Sequence, residues 1–215
     1  MADATRPTVL LTAFEPFGGD HRNPSWDAVQ QLAASWDGPA DLAVEQLPVV
    51  FADGRPRLAA ALARHRPSVV VATGLAAGRA AVTPERVAIN VLDARIPDNA
   101  GAQPIDEPID PNGAPAVFSG LPIKRIVRDV QAAGVPASVS NTAGTFTCNQ
   151  VFYELMSFAR RDGFRAGFVH VPATPDLAGN GPSLELDAIV TALDAVVRAA
   201  LDPAPDVVEQ GGAES

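Results

Sequence analysis

The chain has 215 residues, 47% of them hydrophobic and 19% charged, with a formal net charge of −9. This length and apolar content suit one folded domain with a sizeable core and exclude disorder as its default state. The acidic balance argues against a nucleic-acid binder, and the single cysteine excludes an internal disulfide or a cysteine-rich zinc site.

No window reaches the ~18 uninterrupted apolar residues of a membrane span. The first seven residues lack a basic stretch followed by a long apolar run, so no signal peptide is expected. A cytoplasmic protein with neither membrane nor nucleic-acid partners is the natural expectation.

Apolar runs of strand length alternate with segments of helical period. Residues 8–13 read as a buried strand and 24–35 as a helix, with Pro24 suited to the first helical position. A strand is expected over 42–50 and an Ala/Leu/Arg-rich helix over 56–65. Residues 68–73 form the clearest strand, bounded by Pro67 and Gly74. Another strand is expected over 86–92, after a glycine-containing loop. Residues 96–122, rich in Pro, Gly, Asp and Asn, read as a long irregular loop.

A helix follows over 123–133, a short strand over 137–140, a helix over 148–162, a strand over 165–171 and a helix over 184–201. Strands alternating with helices require crossover connections, hence a mostly parallel twisted sheet covered on both faces. The expected fold is therefore α/β, a three-layer α/β/α sandwich in one domain over residues 1–201. Residues 202–215 carry two prolines, two glycines and several acids and read as a disordered tail.

Cys148 follows a short polar turn, Ser140-Asn141-Thr142-Ala143-Gly144-Thr145-Phe146-Thr147, and opens the 148–162 helix. Backbone N–H groups and the dipole at a helix N-terminus favour a thiolate, which suits a nucleophile. A free cysteine is as often a small buried hydrophobe, and the residue alone does not decide. A cysteine nucleophile needs a histidine and a group to orient it. Among three histidines, His170 ends an apolar strand, where catalytic groups gather in α/β sheets; a hydrogen-bonded core histidine is the equal alternative. His65, between Arg64 and Arg66, reads as a helix-end cation, and Glu85 as one acid among many.

Together these segments resemble the pyroglutamyl peptidase type I family, also called pyrrolidone-carboxylate peptidases. The resemblance runs from about Val9 to Pro175. It rests on Val9-Leu10-Leu11-Thr12-Ala13-Phe14-Glu15-Pro16-Phe17-Gly18-Gly19 with Asn23-Pro24, and on Gly74 through Pro84 followed by Glu85-Arg86-Val87-Ala88-Ile89-Asn90. Asp93-Ala94-Arg95-Ile96-Pro97-Asp98-Asn99, the segment ending in Cys148-Asn149, and His170-Val171-Pro172 complete the set. Two positions depart from the family pattern: Thr147, where an aliphatic residue or Asn is expected, and Leu75, where many members carry Gln.

The resemblance implies a phosphorylase/hydrolase-like sandwich and a Cys-His-Glu omega peptidase. Cys148 would be the nucleophile, His170 the acid and base, and Glu85 the residue that orients His170. The substrate would be a peptide whose N-terminus is pyroglutamate, a neutral lactam. Phe14 and Phe17 would sandwich that ring, backbone groups near Leu75 would bind its amide, and Arg95 would aid the oxyanion. The reaction would pass through a thioester and need no metal or cofactor. A homo-oligomer, dimer or tetramer, is expected, with the 96–122 segment as an interface arm. Two alternatives stand beside this reading: a non-catalytic pyroglutamyl-peptide-binding protein of the same fold, and a nucleoside-phosphorylase-like enzyme, for which Arg79 beside Gly78 hints at a phosphate site.

Overall fold

The computed structural model describes residues 6–212. Strands β1 (Thr8–Phe14), β2 (Asp41–Leu47), β3 (Val69–Leu75), β4 (Thr83–Pro84) and β7 (Arg165–Val171) form one five-stranded sheet in the order β2-β1-β3-β7-β4. The first three and β7 are parallel, and the short β4 runs antiparallel to β7. A separate two-stranded antiparallel ribbon joins β5 (Val87–Ile89) to β6 (Ala116–Phe118). Helices α1 (Pro24–Ser35), α2 (Phe51–His65), α3 (Ile123–Ala132), α4 (Thr147–Asp162), α5 (Pro175–Ala178) and α6 (Leu186–Leu201) complete the chain. This is the expected α/β arrangement.

The strands read as continuous apolar runs because both faces of the sheet are covered. Val9, Leu11 and Ala13 of β1, with Val69 and Val71 of β3, point into a core shared with α1, α3 and α6. Leu10 and Phe14 of β1, Val70 and Ala72 of β3 and Phe168 of β7 point the other way, into a core shared with α2 and α4. The period of two along a strand thus splits one sheet between two cores.

Helix α1 starts as its sequence indicates: Asn23 accepts the Ser25 N–H at 3.1 Å and Pro24 takes the first turn. Helix α2 starts five residues before the expected 56. Asp98, distant in sequence, accepts the Phe51 N–H at 2.8 Å and supplies an N-terminal partner, and the exposed Pro56 lies inside the helix. Strand β2 stops at Leu47 rather than 50 because Pro48 has no N–H to continue the ladder. Helix α4 ends at Gly163, whose φ of 77° is the left-handed conformation of a C-terminal cap.

Two more expectations change. The strand expected over 137–140 is reduced to isolated parallel bridges, Val82 with Ala137 and Glu85 with Ser140, which extend the β4 edge. The strand expected over 86–92 shortens to β5, and its partner β6 lies inside the segment read as wholly irregular. The tail also differs from its disordered reading over the described residues. The Asp206 carboxylate accepts the backbone N–H groups of Lys124 and Arg125 at 3.1 and 2.9 Å and caps α3, while Arg125 pairs with Asp202 at 2.6 Å. A composition rich in Pro and Gly does not reveal a cap that acts on a distant helix. Residues 213–215 of that tail lie outside the described residues.

Candidate active site

Three chain segments meet at the C-terminal end of β3 and β7. Gly74 and His170 are register partners there, and Thr83 of β4 pairs with His170 from the other side. Glu85 follows β4, and its N–H bonds to the Phe168 carbonyl at 2.9 Å. This places the Glu85 carboxylate beside the His170 ring, with Oε1 2.7 Å from Nδ1. Both side chains are buried, Glu85 with no exposure at all. An ionised carboxylate only accepts hydrogen bonds, so Nδ1 carries the hydrogen and Nε2 holds the lone pair of the neutral ring.

Cys148 is the second residue of α4 and is partly exposed. Gly74 explains how it reaches the strand ends. A Cβ on Gly74 would stand 2.9 Å from the Cys148 Sγ and 2.9 Å from the Phe168 ring, closer than side chains tolerate. The missing side chain is the space the sulfur occupies, on the sheet face that carries Phe168 and, two residues on, His170. The sequence marks Gly74 as the bound of the 68–73 strand and the start of the Glu85 motif; a glycine within a fully buried strand was the available signal of a close approach.

The electrostatics reverse one expectation. Burial pushes the Cys148 thiol up to about 12; the Glu85 charge pushes the same way, against Arg79 and the cysteine's own backbone N–H. The helix N-terminus does favour the thiolate, but desolvation outweighs it. Burial also pushes His170 below the ordinary imidazole value, against the hydrogen bond and charge of Glu85, with Arg79 adding to the downward shift. Both shifts favour the uncharged forms, thiol and imidazole.

Arg79, read from the sequence as a hint of a phosphate site, turns its guanidinium inward to protein partners. Its Nη1 donates to Glu85 Oε1 at 2.6 Å and to Thr83 Oγ1 at 2.6 Å, and its Nη2 donates to the Thr142 carbonyl at 2.9 Å. Asn149, next to the cysteine, closes the motif quoted above but was given no role there. It is fully buried, accepts the Ile89 N–H at 3.0 Å and donates to the Ile89 and Val91 carbonyls at 2.8 and 3.0 Å. A buried amide thus ties the β5 segment to the helix that bears Cys148.

The expected binding residues divide. Phe14 is 2% exposed, with its ring centroid 6.4 Å from that of Phe168. Phe17 is only partly buried and lies 6.3 Å from Phe146, which meets Phe51 edge-on at 5.2 Å. Phe146, just before α4, is an aromatic that sequence reading did not single out. Glu15, between the two expected ring residues, holds their loop: its carboxylate accepts the Val49 N–H at 3.0 Å and the Asn99 amide at 2.8 Å.

Leu75 is the last residue of β3 and is buried, in register with Val171. Thr147 is buried as the first residue of α4. Arg95 is exposed and makes no side-chain hydrogen bond or ion pair among the described residues. Its segment nevertheless reaches the cysteine loop, through Asp93 N–H to the Thr145 carbonyl at 3.0 Å and the Thr145 hydroxyl to the Asp93 carbonyl at 2.7 Å. His65 lies elsewhere, 2.7 Å from Glu45 at the end of α2.

Comparisons with known proteins agree on one group. A family model described as pyroglutamyl peptidase matches residues 7–203. The pyrrolidone-carboxylate peptidase of Clavibacter michiganensis subsp. michiganensis is 56% identical over 204 residues, covering 94% of this chain and 96% of its own. That of Bacillus amyloliquefaciens is 48% identical over 211 residues, covering 96% and 97%. Among solved structures, pyroglutamyl peptidase I from Bacillus amyloliquefaciens superposes with a TM-score of 0.91 at 46% identity, covering 96% of this chain and all of that one. The pyrrolidone carboxyl peptidase of Thermococcus litoralis gives 0.88 at 36% identity, covering 95% and 99%.

Proposed function

Since this chain belongs to the pyroglutamyl peptidase family, cysteine omega peptidases that remove N-terminal pyroglutamate, we propose that Cys148, His170 and Glu85 carry that reaction here. The observation that carries the assignment is the buried Glu85–His170 bond of 2.7 Å at the strand ends over which α4 sets Cys148. His170 Nε2 takes the thiol proton as Sγ attacks the carbonyl between pyroglutamate and the next residue. The forming S–C bond drives charge onto the carbonyl oxygen, and the Cys148 backbone N–H at the start of α4 would receive it. His170 then delivers the proton to the leaving amine as the C–N bond breaks. Water, deprotonated by the same nitrogen, hydrolyses the thioester and frees pyroglutamate.

The favoured uncharged forms shape this chemistry. Burial favours the neutral thiol, so in this reading the proton passes to His170 as Sγ attacks. Glu85 holds the ring in the tautomer that keeps Nε2 basic and stabilises the imidazolium that follows. Phe17, partly buried with Phe146 against it, offers apolar surface for a lactam that carries no charge, whereas Phe14 at the end of β1 is buried against Phe168 and presents almost none. Backbone groups near Leu75 would take the lactam amide, and the exposed Arg95 would reach the oxyanion from its loop. The same reading places the enzyme in the cytoplasm as a homo-oligomer, with Ile105 and Phe118 of the 96–122 arm, 72% and 68% exposed, in the interface.

The test is Cys148→Ala assayed on a chromogenic pyroglutamyl amide. Turnover should fall by about 10⁴-fold or more in a variant that keeps its fold. Retained turnover would remove Cys148 from the reaction.

A further inference from the structure

We infer that Arg79 is a positioning residue for this site, clamping the Glu85 carboxylate and the loop before Cys148 into one frame. The inference rests on the peptidase reading above and extends it to a residue outside the triad. One guanidinium joins three residues of two segments: Thr83 on β4 with Glu85 just after it, and Thr142 six residues before the cysteine. Arg79 is held at its own base as well, since its N–H donates to the Ala76 carbonyl at 3.2 Å and the Ala76 N–H donates to Val171, next to His170, at 2.9 Å.

The carboxylate geometry shows what the clamp does. Oε1 of Glu85 receives both Arg79 at 2.6 Å and His170 at 2.7 Å, whereas Oε2 is buried without a partner. The terminal torsion of a glutamate is broad and roughly two-fold. Without Arg79 the carboxylate could turn and present either oxygen, and the imidazole would lose its fixed direction. With Arg79 one oxygen is pinned and the ring is aimed. A planar fork suits this task, because it reaches a carboxylate on one side and a carbonyl on another.

Charge supplies a second effect. The charged groups acting on His170 are Glu85 beyond β4 and Arg79 in the loop after β3, while Cys148 on α4 lies at Gly74, the register partner of His170. Arg79 and Glu85 together carry no net charge, so the neutral imidazole sits in a balanced cluster. Removing Arg79 leaves a buried carboxylate facing the ring, which strengthens its hold on the proton it must pass to the leaving amine. The downward influence of Arg79 on His170 agrees with this sign.

The experiment compares wild type with Arg79→Gln and Arg79→Lys, using steady-state kinetics on a pyroglutamyl amide and an NMR titration of His170. Arg79→Gln should lower kcat by about 10²-fold, leave KM within about threefold and move the His170 titration to higher pH. Arg79→Lys should restore the wild-type titration but only part of kcat, because the charge returns without the fork. A kcat for Arg79→Gln within about threefold of wild type, or an unmoved His170 titration, overturns the proposal. If Arg79→Gln does not fold, Arg79→Lys decides: wild-type kcat in that variant overturns the clamp. A wild-type chain without turnover would sink the peptidase reading instead, and the histidine titration would still decide the role of Arg79.

Discussion

The two faces of the sheet are built from different materials. The core under α1, α3 and α6 buries Val, Leu, Ile and Ala, with no aromatic residue fully inside it. The core under α2 and α4 buries Phe14, Phe152, Phe158 and Phe168, and the buried Asn149, Gln150 and Glu154 lie on the same helix as Cys148. An aliphatic layer packs densely and asks nothing of hydrogen bonding. A layer with polar groups costs stability wherever a partner is missing, and here Gln150 Oε1 and Glu154 Oε2 have none. One face supports the sheet, and the other accepts that cost to hold reactive groups in place.

The sharpest way to break this contrast is to damage the supporting face. Leu193→Ala on α6 should cost about 2–5 kcal/mol of stability by leaving a cavity, while kcat of the folded protein stays at wild type. Denaturant unfolding with kinetics at low temperature checks both halves, and a large fall in kcat would show that the two faces are not separable.

The converse is Gly74→Ala, which adds one methyl on the reactive face. It would stand 2.9 Å from Sγ and 2.9 Å from the Phe168 ring, so the Cys148 sulfur must move. A displacement of this kind should cost about 10² in kcat, with a stability loss of about 1–3 kcal/mol. Equal kcat in the alanine variant would mean that Sγ need not lie where Gly74 leaves room.

The smallest effect concerns Glu154. Burial pushes its carboxyl from an ordinary 4.5 up to about 7, against the Gln150 hydrogen bond and the Arg55 charge. A carboxylate raised in the folded state binds its proton more tightly than in the unfolded chain. Its contribution is therefore complete below about pH 4.5 and is lost as the pH rises through about 7. Glu154→Gln should remove that dependence and be the more stable protein above pH 7, by roughly 1–3 kcal/mol. Unfolding followed from acid to mild alkali reads this directly; a variant with the same pH slope as wild type would exclude Glu154 as its source.

Much of this architecture could be read from pattern. The apolar runs over 8–13, 68–73 and 165–171 mark β1, β3 and β7 because parallel strands are buried on both faces, and Asn23-Pro24 marks the start of α1 because its cap is local. What pattern missed depends on distant partners. The start of α2 is set by Asp98, the cap of α3 by Asp206, and the anchoring of β5 by Asn149. The site follows the same rule. Motifs named Cys148, His170 and Glu85, but Arg79 beside Gly78 read as a hint of a phosphate site until the fold placed Glu85 and Thr142 around it. The sign of the Cys148 shift was likewise hidden, since local sequence shows the helix end but not the burial that opposes it.

The strand order has a consequence for biosynthesis. β7 emerges late from the ribosome yet lies between β3 and β4, both made long before it. Until β7 arrives, β3 exposes an unpaired apolar edge, and Glu85 has no histidine to meet, since its partner is 85 residues downstream. The nascent chain is therefore adhesive, and the Glu85–His170 pair is unmade, until one late strand slots into place. Hydrolytic activity in such a molecule reports that synthesis and folding have both finished.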